Sequence, residues 1–279
     1  TNINLRPNLT TTLGLSYDLF TNSTSQSTDK INPKFGLQWD INQYFRLRAA
    51  WFESTKPHVM GQQSLEPTQI AGFNQFYDDL NATRSRRMGF GLDAKFNEKL
   101  YGGFEVSNRL FRTGSETNVF KFEEDFYRAY LYWMPHVYWA IRGEIIVDKT
   151  LRLDGVEKGF GPAKVDNLSV PVNLEYFHPS GIFSTFTTTF VQQNLYRNSD
   201  SGQSRSFSTT QSGNDNFVLV DFSAGFRFPN RKGMISADAR NLLDEFFYFL
   251  DDNYKTSEQM LRTRFIPDRT FFLRLTLNF

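Results

Sequence analysis

Apolar and polar residues alternate one by one through most of this chain, and that period of two constrains its fold more than any other feature. Successive side chains of a strand point to opposite faces, so each such run describes a strand with one apolar and one polar side. The clearest runs carry Leu13, Leu15, Tyr17 and Leu19, then Phe35, Leu37, Trp39 and Ile41, then Phe45, Leu47, Ala49 and Trp51, then Met88, Phe90, Leu92, Ala94 and Phe96. The pattern returns through Phe104, Tyr127–Trp133, Trp139–Val147, Leu168–Tyr176, Ile182–Val191, Val218–Phe228, Ile235–Ala239 and Phe271–Phe279. About twelve strands are expected from these runs, longer than the ~5–6 residues of an ordinary soluble strand and near the ~9–11 that cross a bilayer at a tilt.

The connections sort by parity. Short ones fall at Arg6–Asn8, Asn42–Gln43, Asn97–Lys99, Pro135–His136, His178–Gly181 and Pro229–Gly233; long polar ones fall at Thr21–Lys30, Ser54–Ser85, Arg112–Glu124, Asp148–Asp166, Leu195–Asp215 and Asn241–Arg269. In an up-and-down barrel every second connection lies on the same rim, so the chain is expected to have one tight rim and one rim of long loops. That asymmetry is characteristic of outer-membrane barrels. The fold expected is therefore all-β, a transmembrane antiparallel up-and-down barrel occupying residues 1–279.

The residues between the apolar positions test this. Arg46, Arg48, Arg87, Asp93, Lys95, Glu105, Arg109, Arg142, Glu144, Glu175, Asp221, Arg227 and Arg274 all fall on the polar faces, among many small residues. A soluble barrel fills its interior with apolar side chains; here the polarity is inverted, as for a wet or plugged lumen, and these residues are its expected lining. A cross-strand ladder of ion pairs is the simplest use for them, and a pathway that tolerates anionic solutes or docks a plug the functional one. Aromatic residues gather near strand ends, as in interfacial girdles, which accounts for 30 Phe and 12 Tyr.

Composition removes other classes. The 31 basic and 30 acidic residues give no electrostatic case for a nucleic-acid partner. With no cysteine there is no disulfide framework, thiolate metal site or cysteine nucleophile. No apolar run approaches the ~18 residues of a spanning helix. The first residue is Thr1, so an export signal is expected upstream. Asn2 to Leu5 read as the end of a preceding strand, which makes the chain the C-terminal part of a larger, even-numbered barrel of at least ~14 strands.

The run Arg269-Thr-Phe-Phe-Leu-Arg-Leu-Thr-Leu-Asn-Phe279, with Phe271, Leu273, Leu275, Leu277 and Phe279 in phase, resembles the C-terminal assembly signal of outer-membrane barrels. Further segments resemble the barrel of TonB-dependent receptors: Lys34 to Asp40, Phe45 to Phe52 and Ser54-Thr-Lys-Pro57, then Val218 to Phe228, and Ala237 to Asn241-Leu-Leu-Asp244, where Leu243 departs from the family's Asn-Leu-Phe-Asp. Leu65 to Asp79 is also similar to a loop in barrels that follow tetratricopeptide repeats. The first resemblance implies import of a scarce, bulky ligand such as a metal chelate, cobalamin or oligosaccharide, with a plug domain and TonB as partners. The second implies a membrane anchor or export conduit for an upstream periplasmic repeat or secreted module. Either implies the outer membrane of a Gram-negative bacterium, with its lipid, lipopolysaccharide and barrel assembly machinery as partners.

Catalysis is not expected, since it needs a His base beside a nucleophile or carboxylate, and His58, His136 and His178 fall in loops or turns. No cofactor or metal is expected either: Asp78-Asp79 and Asp251-Asp252 lack the alternating spacing of a Ca²⁺ loop. Aromatics of the long loops, Phe73, Phe76, Tyr77, Phe247, Tyr248 and Tyr254, are the candidates for gripping a ligand above the barrel, because a lipid-facing wall does not explain them; packing among the loops is the alternative use.

Overall fold

The computed structural model describes residues 1–20, 28–56, 69–74, 83–114, 119–153, 163–196, 213–249, 265 and 268–278. The strands in chain order are β1 (Asn2–Arg6), β2 (Leu9–Phe20), β3 (Thr28–Asp40), β4 (Phe45–Thr55), β5 (Gln69–Ile70), β6 (Phe73–Asn74), β7 (Arg84–Asn97), β8 (Leu100–Gly114), β9 (Val119–His136), β10 (Trp139–Arg152), β11 (Lys164–Phe177), β12 (Ile182–Tyr196), β13 (Gly213–Arg227), β14 (Gly233–Arg240) and β15 (Thr270–Leu277). All but β5 and β6 join one 13-stranded antiparallel sheet in which each strand pairs with its neighbours in sequence. The sheet is that of an up-and-down barrel left unclosed, with β1 and β15 as its two ends. The twelve expected strands are all present, and the thirteenth is β1, which pairs Asn2 with Thr12 and Ile3 with Thr11. Among the described residues there is no α-helix, and the only helical turn is a 3₁₀ turn at Pro229–Arg231.

One face of the sheet is apolar and bare. Leu13, Leu15, Tyr17, Phe35, Trp39, Met88, Leu131, Trp133, Phe222 and Leu273 are all exposed, far more apolar surface than a soluble monomer shows. The other face holds the buried residues, including Arg48, Phe52, Arg87, Ser107 and Arg109. We call these the outer and inner faces. The outer apolar belt spans nine residues on β10 (Trp139 to Val147), and the paired belt on β11 runs from Tyr176 to Leu168. At ~3.4 Å per residue that is about 27 Å of strand.

Beyond the belt, toward the long-loop rim, the polarity reverses. Phe111 and Phe122 are buried on the inner face and stack at 5.0 Å, and Val165, Val191 and Phe217 are buried there too, while Arg112 and Lys121 on the outer face are exposed. This end of the wall has the ordinary polarity of a water-soluble barrel, with each fully buried Phe contributing roughly 1.5–3 kcal/mol. The reversal corrects one expected loop. Arg112–Glu124 is mostly strand, because β8 continues to Gly114 and β9 starts at Val119, with Arg112 paired to Lys121 and Phe111 to Phe122. A second correction is smaller: Pro135 and His136 lie within β9, and the turn falls at Val137 and Tyr138.

At the end of β14 the chain is held by its own side chains. Asn241 is buried, accepts from the Glu245 backbone N–H at 2.9 Å and donates to the Glu245 carbonyl at 2.9 Å. Its own N–H donates to Asp221 at 2.8 Å. Asp244 in turn accepts from the Arg269 backbone N–H at 3.1 Å, just before β15. Asn241 and Asp244 both have positive φ (48° and 57°), a region that Asn and Asp tolerate better than most residues. The Asn-Leu-Leu-Asp run thus folds a compact turn at the long-loop rim.

Candidate functional site: the inner face

The lumen-lining candidates form a band of paired charges across the inner face. Arg46 meets Asp40 across β3 and β4 at 2.5 Å. Arg48 makes a fork on Asp93, at 2.8 and 3.1 Å, and reaches Glu105 on β8 at 3.3 Å. The Tyr130 hydroxyl donates to the same Asp93 at 2.6 Å. On the next strands Arg128 forks onto Glu144, with both contacts at 2.8 Å, and the Tyr132 hydroxyl donates to Glu144 at 2.9 Å. Arg142 pairs with Glu175 at 2.6 Å, and Arg240 with Asp221 at 3.0 Å. Bidentate guanidinium–carboxylate pairs fix direction as well as charge, so the band is a rigid surface carrying both signs.

The remaining candidates occupy the same face outside these pairs. Lys95 lies over the Tyr101 ring at 5.9 Å, and Arg227 over Phe183 at 5.3 Å and Phe177 at 5.8 Å. Arg109 joins Glu124 at 3.0 Å and lies over Phe111 at 4.6 Å. Arg87 donates to the Ser107 hydroxyl at 2.8 Å and to the Asn74 carbonyl at 3.3 Å. Arg274 on β15 stands opposite Ser236 and is exposed.

The contact from Arg87 to Asn74 belongs to a feature that alternation does not reveal. β5 and β6 form a two-stranded hairpin, Gln69 paired with Asn74 and Ile70 with Phe73. Its central residues Ala71 and Gly72 have φ of 49° and 88°, as a type I′ turn requires. The hairpin rests on the inner faces of β3, β4 and β7: Ile70, Ala71 and Phe73 are buried in one cluster with Ala50 and Phe52. Strand glycines make the seat, since a β-carbon at Gly36 would strike Ile70 and Ala71, and one at Gly89 would strike the Phe73 ring. The Arg48 guanidinium lies 5.2 Å from the Phe73 ring centre. One arginine therefore ties the hairpin to the charge band through a cation–π contact. The sequence signal for all this was the Ala-Gly dipeptide between β-forming residues, together with glycines at Gly36, Gly89 and Gly91 on one face.

The loop aromatics divide. Phe73 and Phe247 are buried, Phe73 in the hairpin seat and Phe247 stacked on Phe217 at 4.1 Å. Their rings are enclosed by the chain's own side chains, the packing that was the alternative to ligand contact. Tyr248 is exposed, edge-on to Phe246 at 5.1 Å. Phe76, Tyr77 and Tyr254 lie outside the described residues, as do His58, Asp78-Asp79, Asp251-Asp252 and Phe279. Phe271, Leu273, Leu275 and Leu277 of the terminal run point outward from β15 and are exposed. His136 and His178 join Tyr138 and Tyr176 in an aromatic cluster at the short-turn rim.

An inner wall of this kind can exchange hydrogen bonds with a polar solute or with a domain seated against it. In comparison with known families, residues 1–114, which span β1 to β8 and the inner hairpin, match the family described as "TonB dependent receptor-like, beta-barrel". The resemblance to outer-membrane receptor and transport barrels thus holds over that stretch, and β9 to β15 continue the same sheet. No curated protein matches the chain.

Proposed function

From the receptor-barrel likeness of residues 1–114, we propose that this chain forms part of a transmembrane barrel in the outer membrane of a Gram-negative bacterium, and that the barrel takes up a polar ligand from the long-loop side. The outer belt faces lipid, the short turns face the periplasm and the long loops face outward. Capture and passage are the function, with no chemical conversion of the ligand. Further strands close the sheet between β1 and β15, since bare edges of this kind are otherwise pairing hazards. A plug domain seated on the paired charges, and TonB acting on it, complete the device. Metal chelates, cobalamin and oligosaccharides are the ligand classes.

The observation that carries this reading is the juxtaposition on one wall of an exposed apolar belt and an opposite face of forked ion pairs into which a hairpin folds. The test is uptake by cells of the parent protein's own species, with the gene intact or deleted. Labelled ferric chelates, cobalamin and oligosaccharides are supplied with and without a protonophore. Energy-dependent accumulation of one class, lost on deletion, is expected. High conductance of the purified protein in planar bilayers, with no energised uptake, would favour the anchor or conduit reading.

A further inference from the structure

The inner hairpin is fastened to the wall through side chains. β5 and β6 form a two-stranded sheet of their own, and neither joins the ladder of the 13 wall strands. Ile70, Ala71 and Phe73 are buried against Ala50 and Phe52, and the Arg87 guanidinium donates to the Asn74 carbonyl at 3.3 Å. Arg48 is wedged between the two parts: a β-carbon at Gly91 of the wall, or at Gly72 of the hairpin turn, would strike its guanidinium. The wall does not need the hairpin in return. β3, β4 and β7 pair with one another beneath it, and Arg48 is held from the wall side by its fork on Asp93 and by Glu105.

A static brace would extend the ladder. This segment instead takes a seat that weakens the strands carrying it, since glycine inside a strand costs stability, and Gly36, Gly89 and Gly91 make the room that the hairpin and Arg48 fill. The seat lies level with the outer belt, where the exposed Phe35 and Phe90 flank Gly36 and Gly89 in sequence. Two arrangements therefore differ in side-chain contacts and not in backbone pairing. In one Phe73 is seated, favoured by burial of apolar surface; in the other the hairpin is lifted and both ladders are intact. Elements with two such discrete packings are what switches are built from. We propose that the hairpin of residues 69–74 is a latch on the passage: seated, it obstructs the path along β3, β4 and β7, and it leaves the glycine floor when a ligand passes. It works inside the wall, not over the mouth. The proposal rests on the uptake reading above, which supplies the passage.

The test locks the latch in the full-length parent protein. A β-carbon at position 36 would lie 3.1 Å from that of Ala71, a few tenths of an ångström inside the ~3.5–4.5 Å of a disulfide. Gly36→Cys/Ala71→Cys is therefore expected to cross-link on oxidation, in a chain with no cysteine of its own. Heat-dependent gel migration reports folding, and the two single variants are controls. Energy-dependent uptake by cells and conductance in planar bilayers are read before oxidation, after it and after reduction. The oxidised pair is expected to lose uptake and to regain it on reduction. In a second measurement, thiol modification of Ala71→Cys alone is expected to quicken when cells receive whichever of the ferric chelate, cobalamin and oligosaccharide probes accumulates in the wild type. Absence of the cross-link in the folded pair would overturn the seat. Wild-type uptake by the cross-linked protein, or a modification rate that the transported probe leaves unchanged, would overturn the latch and leave the uptake reading standing. Conductance that falls with the lock, in a protein without energised uptake, would keep the latch and overturn uptake. Neither uptake nor any response of conductance to the lock would overturn both.

Discussion

The ring of Phe73 lies against the backbone of Gly89, in the space that a β-carbon at position 89 would fill. Phe73 is only 1% exposed, so the inner hairpin is seated by the lack of a side chain on the strand beneath it. Gly89→Ala is therefore expected to lift the hairpin while leaving the sheet paired. Overpacking costs about 1–3 kcal/mol, which raises the hairpin's open population about five- to hundredfold. The chain has no cysteine, so an Ala71→Cys label reports this directly: thiol modification of the folded barrel should quicken by that factor in the Gly89→Ala background. An unchanged rate would show that the seat does not depend on this contact.

Arg48 is the hinge between hairpin and charge band, holding Asp93, Glu105 and Phe73 together. Arg48→Met leaves two carboxylates on a crowded wall without their cation. Stranding partly buried charged groups costs about 1–3 kcal/mol, read as a lower urea midpoint for the barrel folded in lipid vesicles. Arg48→Met/Asp93→Asn should recover part of the loss, because one of the stranded charges is gone. A double variant less stable than the single one would contradict the pairing.

The strands were readable because each carries the same phase for the length of the belt and because turn formers punctuate the short rim. The segment Arg112–Glu124 was not, and the reason is physical. Above the belt the wall no longer faces an apolar medium, so Phe111 and Phe122 turn inward and Arg112 and Lys121 outward; an apolar-outward template reads that reversal as the end of the strand. The charge band was visible as a list of residues on one face, but not its partners. Tyr130 and Tyr132 are inner-face residues that look in sequence like any strand aromatics, and only the register brings them to Asp93 and Glu144. The inner hairpin escaped because two-residue strands carry no measurable period.

Asn241 binds both backbone groups of Glu245 and is 1% exposed. Asn241→Ala removes both bonds to Glu245, and two hydrogen bonds of ordinary net worth make that a cost of about 1–3 kcal/mol. Asn241→Asp keeps the acceptor for the Glu245 N–H and loses only the donor to its carbonyl. The expected order of stability is wild type, then Asp, then Ala, in urea titrations of the vesicle-folded barrel. Equal losses for the two variants would mean that the bond from the Glu245 N–H contributes nothing to the turn.

The assignment of the outer face to lipid yields the sharpest comparison, because depth and not chemistry sets the outcome. Val172 lies mid-belt on β11 and is 39% exposed; Leu153 lies beyond the belt next to β10 and is 47% exposed. In water, an arginine at either exposed site would cost little. In a bilayer, an arginine at the midplane of a barrel wall costs about 2–4 kcal/mol, and one near the interface about 0–1. Val172→Arg is thus expected to destabilise the vesicle-folded barrel strongly, and Leu153→Arg hardly at all. Asn173→Arg, one residue from Val172 but on the inner face, should be tolerated, since it meets the polar lumen beside Thr187. Equal tolerance of arginine at 172 and 153 would mean that the belt does not contact lipid, and the membrane reading would fall with it.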